Sequence, residues 1–481
     1  MINVLAVASE VFPLVKTGGL ADVVGALPAA LRGHGVDMRV MVPGYPAVTA
    51  ALKNGEVVHR HKDLFGGPAR LLAGAAQGLN LLVLDAPHLF ARAGNPYLGP
   101  DGTDWPDNWR RFAGLSFVAG EVGGGALPAF VPAIVHAHDW QAGLVPAYLR
   151  YAGKNAAKSI VTIHNLAFQG NFPAAIFRDL RLPAAAFAID GVEYYGGVSY
   201  LKGGLQFADV ITTVSPTYAV EICTPAGGMG LDGLLRMRRG ALSGIVNGID
   251  TDIWDPATDT NLVSRFTAAS LAARAANKRE VENRFELKSG DGMIFCVVSR
   301  LAWQKGMDLL GDCIDGLVAA GGRLAVLGSG DAALEGLFRA AASRHRGSVG
   351  VVTGYDEALA HVVQGGSDAT LIPSRFEPCG LTQFHGLRYG SVPIVSRVGG
   401  LADTIIDAND AALSAGVATG IQFQPVEAAA LAGAIGRAMA LYAQPKTWRT
   451  MQKRGMKADV SWDKSAARYA ALYSNLAAAN G

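Results

Sequence analysis

The feature that most limits the fold is a rhythm that runs along the chain, stops, and starts again. Short apolar, β-rich runs (INVLAVA, MRVMV, LLVL, IVHA, IVTI and VITTV) alternate with amphipathic stretches through the first half. MIFCVV, RLAVL, VGVVT, ATLI and VPIV repeat the pattern in the second half. Apolar runs spaced by helix-length segments are the mark of parallel βα units. Between the two series, from about Asn247 to Thr267, the chain is rich in Asp, Asn, Thr and Pro and reads as an interdomain linker. The prediction is an α/β protein of two similarly built lobes, residues 1–246 and 247–458, followed by a terminal segment 459–481. GGLAD at Gly18–Asp22 and again at Gly399–Asp403 supports the internal likeness, each copy entering an apolar-periodic helix. In the terminal segment Ser461 is the expected helix cap, and Ala466, Tyr469, Tyr473 and Leu476 form one apolar face that needs a surface to cover.

Length and charge narrow the function. A chain of 481 residues exceeds what one core usually supports, and 50% hydrophobic with 17% charged residues suffices for two. The net charge of +2, with no long basic or acidic block, argues against nucleic acid or an anionic membrane as partner. Chemistry on a small molecule or a neutral polymer remains. Cys223, Cys296, Cys313 and Cys379 are far apart and form no CxxC, so neither a zinc site nor a disulfide framework is expected, and a reducing cytoplasm fits. With no basic residue before Lys16 and no apolar run of membrane-spanning length, no export signal or span is read.

The chemistry concentrates in Pro373–Thr382, PSRFEPCGLT. Prolines at 373 and 378 disfavour helix for the residue before each, which holds Glu377 in extended chain between the strand ATLI and a helix carrying Leu381, Phe384 and Leu387. A helix opening near Gly380 leaves its first N–H groups unpaired and aimed at that loop, a ready anion site. A carboxylate beside an anion site suits a substrate with hydroxyls at one end and phosphate at the other, such as a nucleotide sugar. In the first lobe, KTGG places Lys16, Gly18 and Gly19 just before a helix, where glycine lets backbone approach a phosphate and the lysine adds mobile charge. The Walker spacing is absent. HAHDW and TIHN deliver Asp139, His164 and Asn165 at strand ends, where ligands of parallel sheets collect. In SRLAWQKG, Arg300 and Lys305 share one loop and can neutralise charge growing on a departing diphosphate. LGSGDAAL matches the permissive dinucleotide pattern GxGxxA, with Asp356 near a ribose-binding position, and keeps an NAD enzyme open as a rival. Tyr355 is placed to stack on a base.

Together SEVFPLVKTGGLADVVGALP, HAHDWQA, TIHNLAFQG, IVNGID, SRLAWQKG and PSRFEPCGLTQ, in this order, resemble the bacterial glycogen synthase and starch synthase family over nearly the whole length. The resemblance implies a GT-B type glycosyltransferase fold, two Rossmann-like lobes facing a deep cleft, with the last helix returning to the first lobe. The implied reaction transfers glucose from ADP-glucose to the non-reducing 4-hydroxyl of an α-1,4-glucan, with retention of configuration and release of ADP. Carried over by residue, Lys16, Gly18 and Gly19 resemble the loop at the donor diphosphate and sugar, and Arg300 and Lys305 would hold the phosphates. Glu377 would sit at the donor glucose, positioning and stabilising charge or, alternatively, forming a covalent glycosyl intermediate. The backbone of Cys379, Gly380, Leu381 and Thr382 would bind sugar hydroxyls and phosphate. Asp139, His164, Asn165 and Asn247 would line the sugar side and Tyr355 the adenine side. Val398, before the second glycine pair, departs from the family's frequent threonine, and that loop is left outside the expected site. No cofactor or essential metal is expected. Asp250–Asp252, which looks like a metal-binding DxD, is read as linker, because the cations and helix ends already supply positive potential. Tyr97, Trp105 and Trp109 offer flat faces for a glucan. A UDP-glucose-dependent retaining transferase, a nucleotide-sugar epimerase of the same architecture and a glucan-binding scaffold without chemistry are the other readings.

Overall fold

The computed structural model describes residues 1–153, 156–354 and 356–478. The chain divides into two compact units, Met1–Gly248 with Trp462–Gly481, and Ile249–Ser461.

In the first unit, the main sheet among the described residues has nine strands. They run in the order Leu242–Gly244, Val210–Thr213, Lys158–Ile163, Ile134–His138, Ile2–Val7, Val36–Pro43, Leu79–Asp85, Ala69–Ala76 and Glu56–His61. The first seven are mutually parallel. Numbered in chain order, those seven stand 7-6-5-4-1-2-3, so the chain reverses its direction of growth between Ile2–Val7 and Ile134–His138. The loops leaving these two strands open at a topological switch point, where open α/β sheets bind ligands. Ile134–His138 is buried along its whole length, as a strand covered on both faces must be.

The last two strands correct the all-parallel expectation: Ala69–Ala76 pairs antiparallel with both Leu79–Asp85 and Glu56–His61. Their burial is partial and mixed, with charged residues on the exposed face, so they lack the continuous apolar run that betrays the buried strands. A small antiparallel sheet of Asn171–Pro173, Gly197–Ser199 and Glu193–Tyr194 escapes for the same reason, each strand being two or three residues long.

The apolar face of the terminal segment belongs to the first unit. The helix Asp463–Ala478 buries Ala466, Tyr469 and Tyr473 in that unit's core, and Leu476 packs against it partly buried. Tyr473 Oη and His136 Nδ1 are 2.8 Å apart, and Ser465 Oγ donates to the Val246 carbonyl at 2.5 Å. The helix opens at Asp463, and Ser461 donates its hydroxyl to Asp459 at 2.7 Å.

In the second unit six parallel strands among the described residues run Val349–Thr353, Arg323–Gly328, Ile294–Val298, Ala369–Ile372, Val392–Ser396 and Ile421–Phe423. In chain order this is 3-2-1-4-5-6, the Rossmann arrangement, with its switch point between Ile294–Val298 and Ala369–Ile372. The stretch read as linker is largely structured within this unit. Leu262 and Phe266 are buried with Tyr389 and Met456. The Trp254 ring stacks between those of His361 and His385, at 3.8 and 3.6 Å between centroids. Asp259 accepts a hydrogen bond from Tyr389 Oη at 2.6 Å and lies 2.7 Å from His361 Nδ1.

Candidate active site

In the second unit the two loops at the switch point meet. Lys305 lies in the short helical turn Trp303–Lys305 after Ile294–Val298, and Glu377 lies on the loop after Ala369–Ile372. Lys305 Nζ donates to Glu377 Oε2 at 2.6 Å, and Ser374 Oγ donates to the same oxygen at 2.8 Å. Both bonds fall on Oε2, so Oε1 is spent on neither. The carboxylate is buried, with its side chain 9% exposed, and its lysine partner is 18% exposed. Arg300 is exposed and linked to the same loop through Gln304, whose Oε1 it reaches at 3.5 Å. Gln304 Nε2 in turn donates to the Phe376 carbonyl at 3.3 Å.

Two helices begin beside this pair without a capping side chain. Met307–Ala319 starts behind Gly306, and Thr382–Tyr389 starts behind Gly380 and Leu381. Their leading N–H groups and dipoles give positive potential without a side chain in the way. Gly306 and Gly380 both take left-handed φ, +67° and +75°, which lets each loop turn sharply into its helix. Gln383 braces the second turn by donating to the carbonyls of Cys379 and Gly380, each at 3.0 Å. Lys305, Ser374, Glu377, Gly380, Leu381 and Thr382 line one concave pocket.

The loop omitted from the expected site supports it from behind. The Gly400 N–H donates to the Glu377 carbonyl at 3.0 Å. A Cβ on Gly399 would stand 2.1 Å from that carbonyl oxygen, and one on Gly400 would stand 2.2 Å from the carbonyl oxygen of Cys379. The glycine pair is therefore required by backbone contact with the Glu377 loop. Its signal was the doublet itself, whatever residue precedes it.

At the first unit's switch point the groups are different. Asp139 follows Ile134–His138 with φ +55°, a strained value for a residue other than glycine. Its N–H donates to the Thr162 carbonyl at 2.9 Å. Its Oδ1 accepts from the N–H groups of His164, at 2.6 Å, and Asn165, at 3.4 Å. Burial pushes this carboxyl up to about 7, and nearby Glu10 adds to the rise. His164 Nε2 faces His138 Nδ1 at 3.0 Å, and burial lowers the His164 imidazolium to about 3. At neutral pH this ring is an uncharged hydrogen-bonding group. Asn165 Oδ1 accepts from the Ala167 N–H at 3.1 Å. Asn247 is also in this unit, and its Oδ1 is buried with no hydrogen-bond partner among the described residues.

Glu10, on the loop after Ile2–Val7, had no sequence motif of its own beyond lying in SEVFP. Buried, it accepts from the Thr17 hydroxyl at 2.6 Å, from the Thr17 N–H and from Tyr97 Oη. This clamp holds the loop bearing Lys16, Gly18 and Gly19. Lys16 Nζ pairs with Asp22 at 2.8 Å, and Gly18 is the extended residue before the uncapped helix Gly19–Leu31. Nothing lies within 4 Å of a Cβ built on Gly18.

The remaining expectations divide. Tyr355 lies outside the described residues. The dinucleotide pattern does stand between Arg323–Gly328 and the helix Ala332–Arg344, but Asp331 caps that helix, accepting from the N–H groups of Ala333 and Leu334 at 2.8 and 3.2 Å. A carboxylate thus occupies the place a pyrophosphate would need. Asp356, the candidate ribose acid, caps the next helix by accepting from Leu359 N–H at 2.8 Å. Asp250 Oδ1 accepts from the N–H groups of Asp252 and Ile253 at 2.9 and 3.1 Å, which makes the DTD triplet a turn. The Tyr97 ring packs against Phe112 at 6.1 Å, while Arg92 and Arg110 guanidinium groups lie over the Trp105 and Trp109 rings at 4.7 and 5.0 Å.

Comparison with known proteins agrees with this geometry. The family model of the starch synthase catalytic domain matches residues 3–237, and that of glycosyl transferases group 1 matches residues 278–455. The glycogen synthase of Mesorhizobium japonicum is 61% identical over 471 residues, covering 98% of each chain. Glycogen synthase 1 of Rhizobium meliloti is 58% identical over 477 residues, covering 99% of each. The catalytic domain of starch synthase IV from Arabidopsis thaliana, solved bound to ADP and acarbose, is similar in structure with a TM-score of 0.88. It is 31% identical and the match covers 99% of both chains. Sucrose-phosphate synthase from Thermosynechococcus elongatus, at 18% identity and a TM-score of 0.60 over both whole chains, shares the fold. With its two Rossmann-type sheets and these relatives, the chain has the GT-B fold and belongs to the glycogen synthase and starch synthase family of glycosyltransferases.

Proposed function

We propose that this enzyme transfers glucose from ADP-glucose to the non-reducing 4-hydroxyl of an α-1,4-glucan, with retention of configuration and release of ADP. The observation that carries this reading is the buried Lys305–Glu377 pair, 2.6 Å apart, beside two uncapped helix N-termini. As the bond from the anomeric carbon to the diphosphate breaks, negative charge grows on the leaving oxygen and positive charge on the sugar. Preorganised groups of the opposite sign are the main means of lowering such a barrier. In this reading Lys305, Arg300 and the amide ends from Gly380 to Thr382 take the diphosphate, Glu377 faces the hexose, and Lys16 with Gly18 and Gly19 contributes a further phosphate contact. Asp139, His164, Asn165 and Asn247 serve the sugar as hydrogen-bonding groups. An electrostatic role for Glu377 is favoured over a covalent one, because one carboxylate oxygen is already engaged by two donors, which lowers its nucleophilicity. ADP and acarbose in the plant neighbour support the nucleotide and the carbohydrate acceptor. No metal is assigned a part. Four free cysteines support action in a reducing cytoplasm, and no helix among the described residues is long and apolar enough to cross a membrane.

Purified protein with glycogen and labelled ADP-glucose or UDP-glucose, each with and without EDTA, tests the reading. It expects α-1,4-linked label from ADP-glucose, undiminished by EDTA. Strict preference for UDP-glucose, loss of activity restored by Mg²⁺, or conversion of the donor without acceptor would overturn it. Replacing Trp105 and Trp109 by Ala should raise the glucan concentration needed for half-maximal rate. Unchanged glucan kinetics would remove those rings from the acceptor path.

A further inference from the structure

One cluster of metal-ligating side chains lies outside the groups assigned to glucosyl transfer. Glu56–His61 is the edge strand of the first unit's sheet, and strand alternation puts residues two apart on the same face. His59 and His61 therefore lie together, their ring centroids 4.7 Å apart, while Arg60 between them is exposed. An irregularity in the pairing between Val57 and His59 sets this register against Ala69–Ala76. The helix Asn108–Gly123 brings Glu121 to the same place. One ligand atom from each of the three residues lies within 4.8 Å of the others.

We propose that His59, His61 and Glu121 form a binding site for a divalent transition-metal ion of the zinc class. Two imidazoles and one carboxylate suit Zn²⁺ and its neighbours, whereas Mg²⁺ and Ca²⁺ prefer all-oxygen sets. Zinc bonds to nitrogen and oxygen of about 2.0–2.1 Å place two ligand atoms at most ~4.2 Å apart. Small side-chain rotations close the trio around an ion, leaving a fourth position for water. A second observation points to a ligand. His61 Nε2 and Glu121 Oε2 are 3.3 Å apart, an ion pair only when the imidazole is protonated, and each is buried without a hydrogen bond among the described residues. The His61 side chain is only 9% exposed. Buried polar atoms are nearly always satisfied, and an ion between these two would satisfy both. Phe117 lies beside it, its ring centroid 6.5 Å from that of His61. Arg181 opposes an added cation, but it also reaches the Asp63 carboxylate at 3.4 Å, which offsets its charge. Binding is therefore weaker than at a four-ligand structural zinc site.

The test uses the full chain, dialysed against EDTA and then freed of it. Co²⁺ is titrated in while visible absorption is recorded, and Zn²⁺ is then used as competitor, with bound metal counted by equilibrium dialysis. The expected result is one saturable equivalent per chain, displaced by Zn²⁺. Affinity should fall at least tenfold in both His59→Gln and Glu121→Gln, whose basal glucosyl transfer stays unchanged. Absence of saturable Co²⁺ bands in the wild-type chain would overturn the site, as would full retention of the equivalent in both variants. Should a variant fail to fold, hydrogen exchange of the wild-type chain decides. Zn²⁺-dependent protection at residues 56–61 and 117–123 supports the proposal, and protection confined to other segments overturns it.

Discussion

The two units share a strand order yet solve the problem of burying polar groups at their switch points in opposite ways. In the second unit the groups are charged and paired: Lys305 and Glu377 offset each other's loss of water, and Asp308 holds Arg375 beside them through two bonds of 2.7 and 2.6 Å. In the first unit Asp139 and His164 bond to backbone amides and to His138 rather than to an opposite charge. Burial instead drives them toward neutrality, taking His136 and His164 down to about 3 and Asp139 up to about 7. The strand ends bearing Lys305 and Glu377 are thus charged while those bearing Asp139 and His164 approach neutrality, and the difference comes from whether an opposite charge arrives on the neighbouring loop.

The comparison breaks most readily at the charged pair. Glu377→Ala or Lys305→Ala should each lower turnover by about 10² or more, the range for a preorganised charge stabiliser. The double variant should lose little beyond the worse single one, because removing either partner already leaves a buried charge uncompensated. Steady-state rates of the three variants check this. Near-normal turnover in both singles would mean that the pair only holds the loops together.

The next effect tests the support behind the pair. Gly400→Ala places a methyl group 2.2 Å from the Cys379 carbonyl oxygen, so the loop bearing Glu377 must move. A shift of about 1 Å can cost up to ~10² in rate, and a loss of about 10- to 100-fold in kcat is expected while the far-UV spectrum stays native. Unaltered kcat would show that the carboxylate's position is not critical.

What was legible in the sequence follows from the same physics. Buried parallel strands declare themselves as unbroken apolar runs, which is why Ile134–His138 and Ala369–Ile372, with the residues at their carboxyl ends, were readable. The edge strand Glu56–His61 and its neighbour Ala69–Ala76 are only partly buried, with Glu56, Arg60 and Arg70 exposed, and gave no such run. Glu377 was readable because proline and glycine mark its loop, and Lys305 because it shares with Arg300 the loop that follows an apolar strand. Ser374, Gln304 and Glu10 were not, since each acts through one or two hydrogen bonds that only tertiary structure creates. The stretch read as linker does contain the boundary between the units, after Gly248, but its packing was not readable for a related reason. Its Asp and Asn residues suggested solvent, yet Asp259 is buried against His361 and Tyr389, which lie 102 and 130 residues away in sequence.

Acid should separate the two units. His136 and His164 have folded values near 3 against an ordinary 6.5, so the unfolded chain binds more protons between those limits. Their contribution is complete above pH 6.5 and is lost as pH falls toward 3. Asp139, raised from 3.8 to about 7, works the other way across that window, but it opposes two histidines, and His138 is lowered as well. In the second unit Asp259 is held down to about 2, chiefly by its bonds to His361 and Tyr389 outweighing burial, so its contribution persists until pH falls below 3.8. Hydrogen exchange at pH 6.8 and 4.5, corrected for intrinsic rates, should show about tenfold loss of protection in 134–138 and 158–163 and little change in 294–298 and 369–372. Equal losses in both sheets would erase the distinction.

The smallest effect sharpens the contrast inside the second unit itself, between helices that start without a capping side chain and one closed by its own residue. Asp331 satisfies the first N–H groups of Ala332–Arg344, whereas Met307–Ala319 and Thr382–Tyr389 start without a capping side chain. Asp331→Ala should cost about 1 kcal/mol of stability, the usual worth of such a cap, and leave glucosyl transfer unchanged. Thermal melting with rate measurements on the same sample checks both halves. A large loss of turnover with stability intact would place a substrate at this helix after all and restore meaning to the glycine pattern in front of it. Introducing a carboxylate at the opposite kind of end, by Leu381→Asp, should do the reverse: gain little stability and lower turnover, as expected if the proposed diphosphate contact at this helix end is correct.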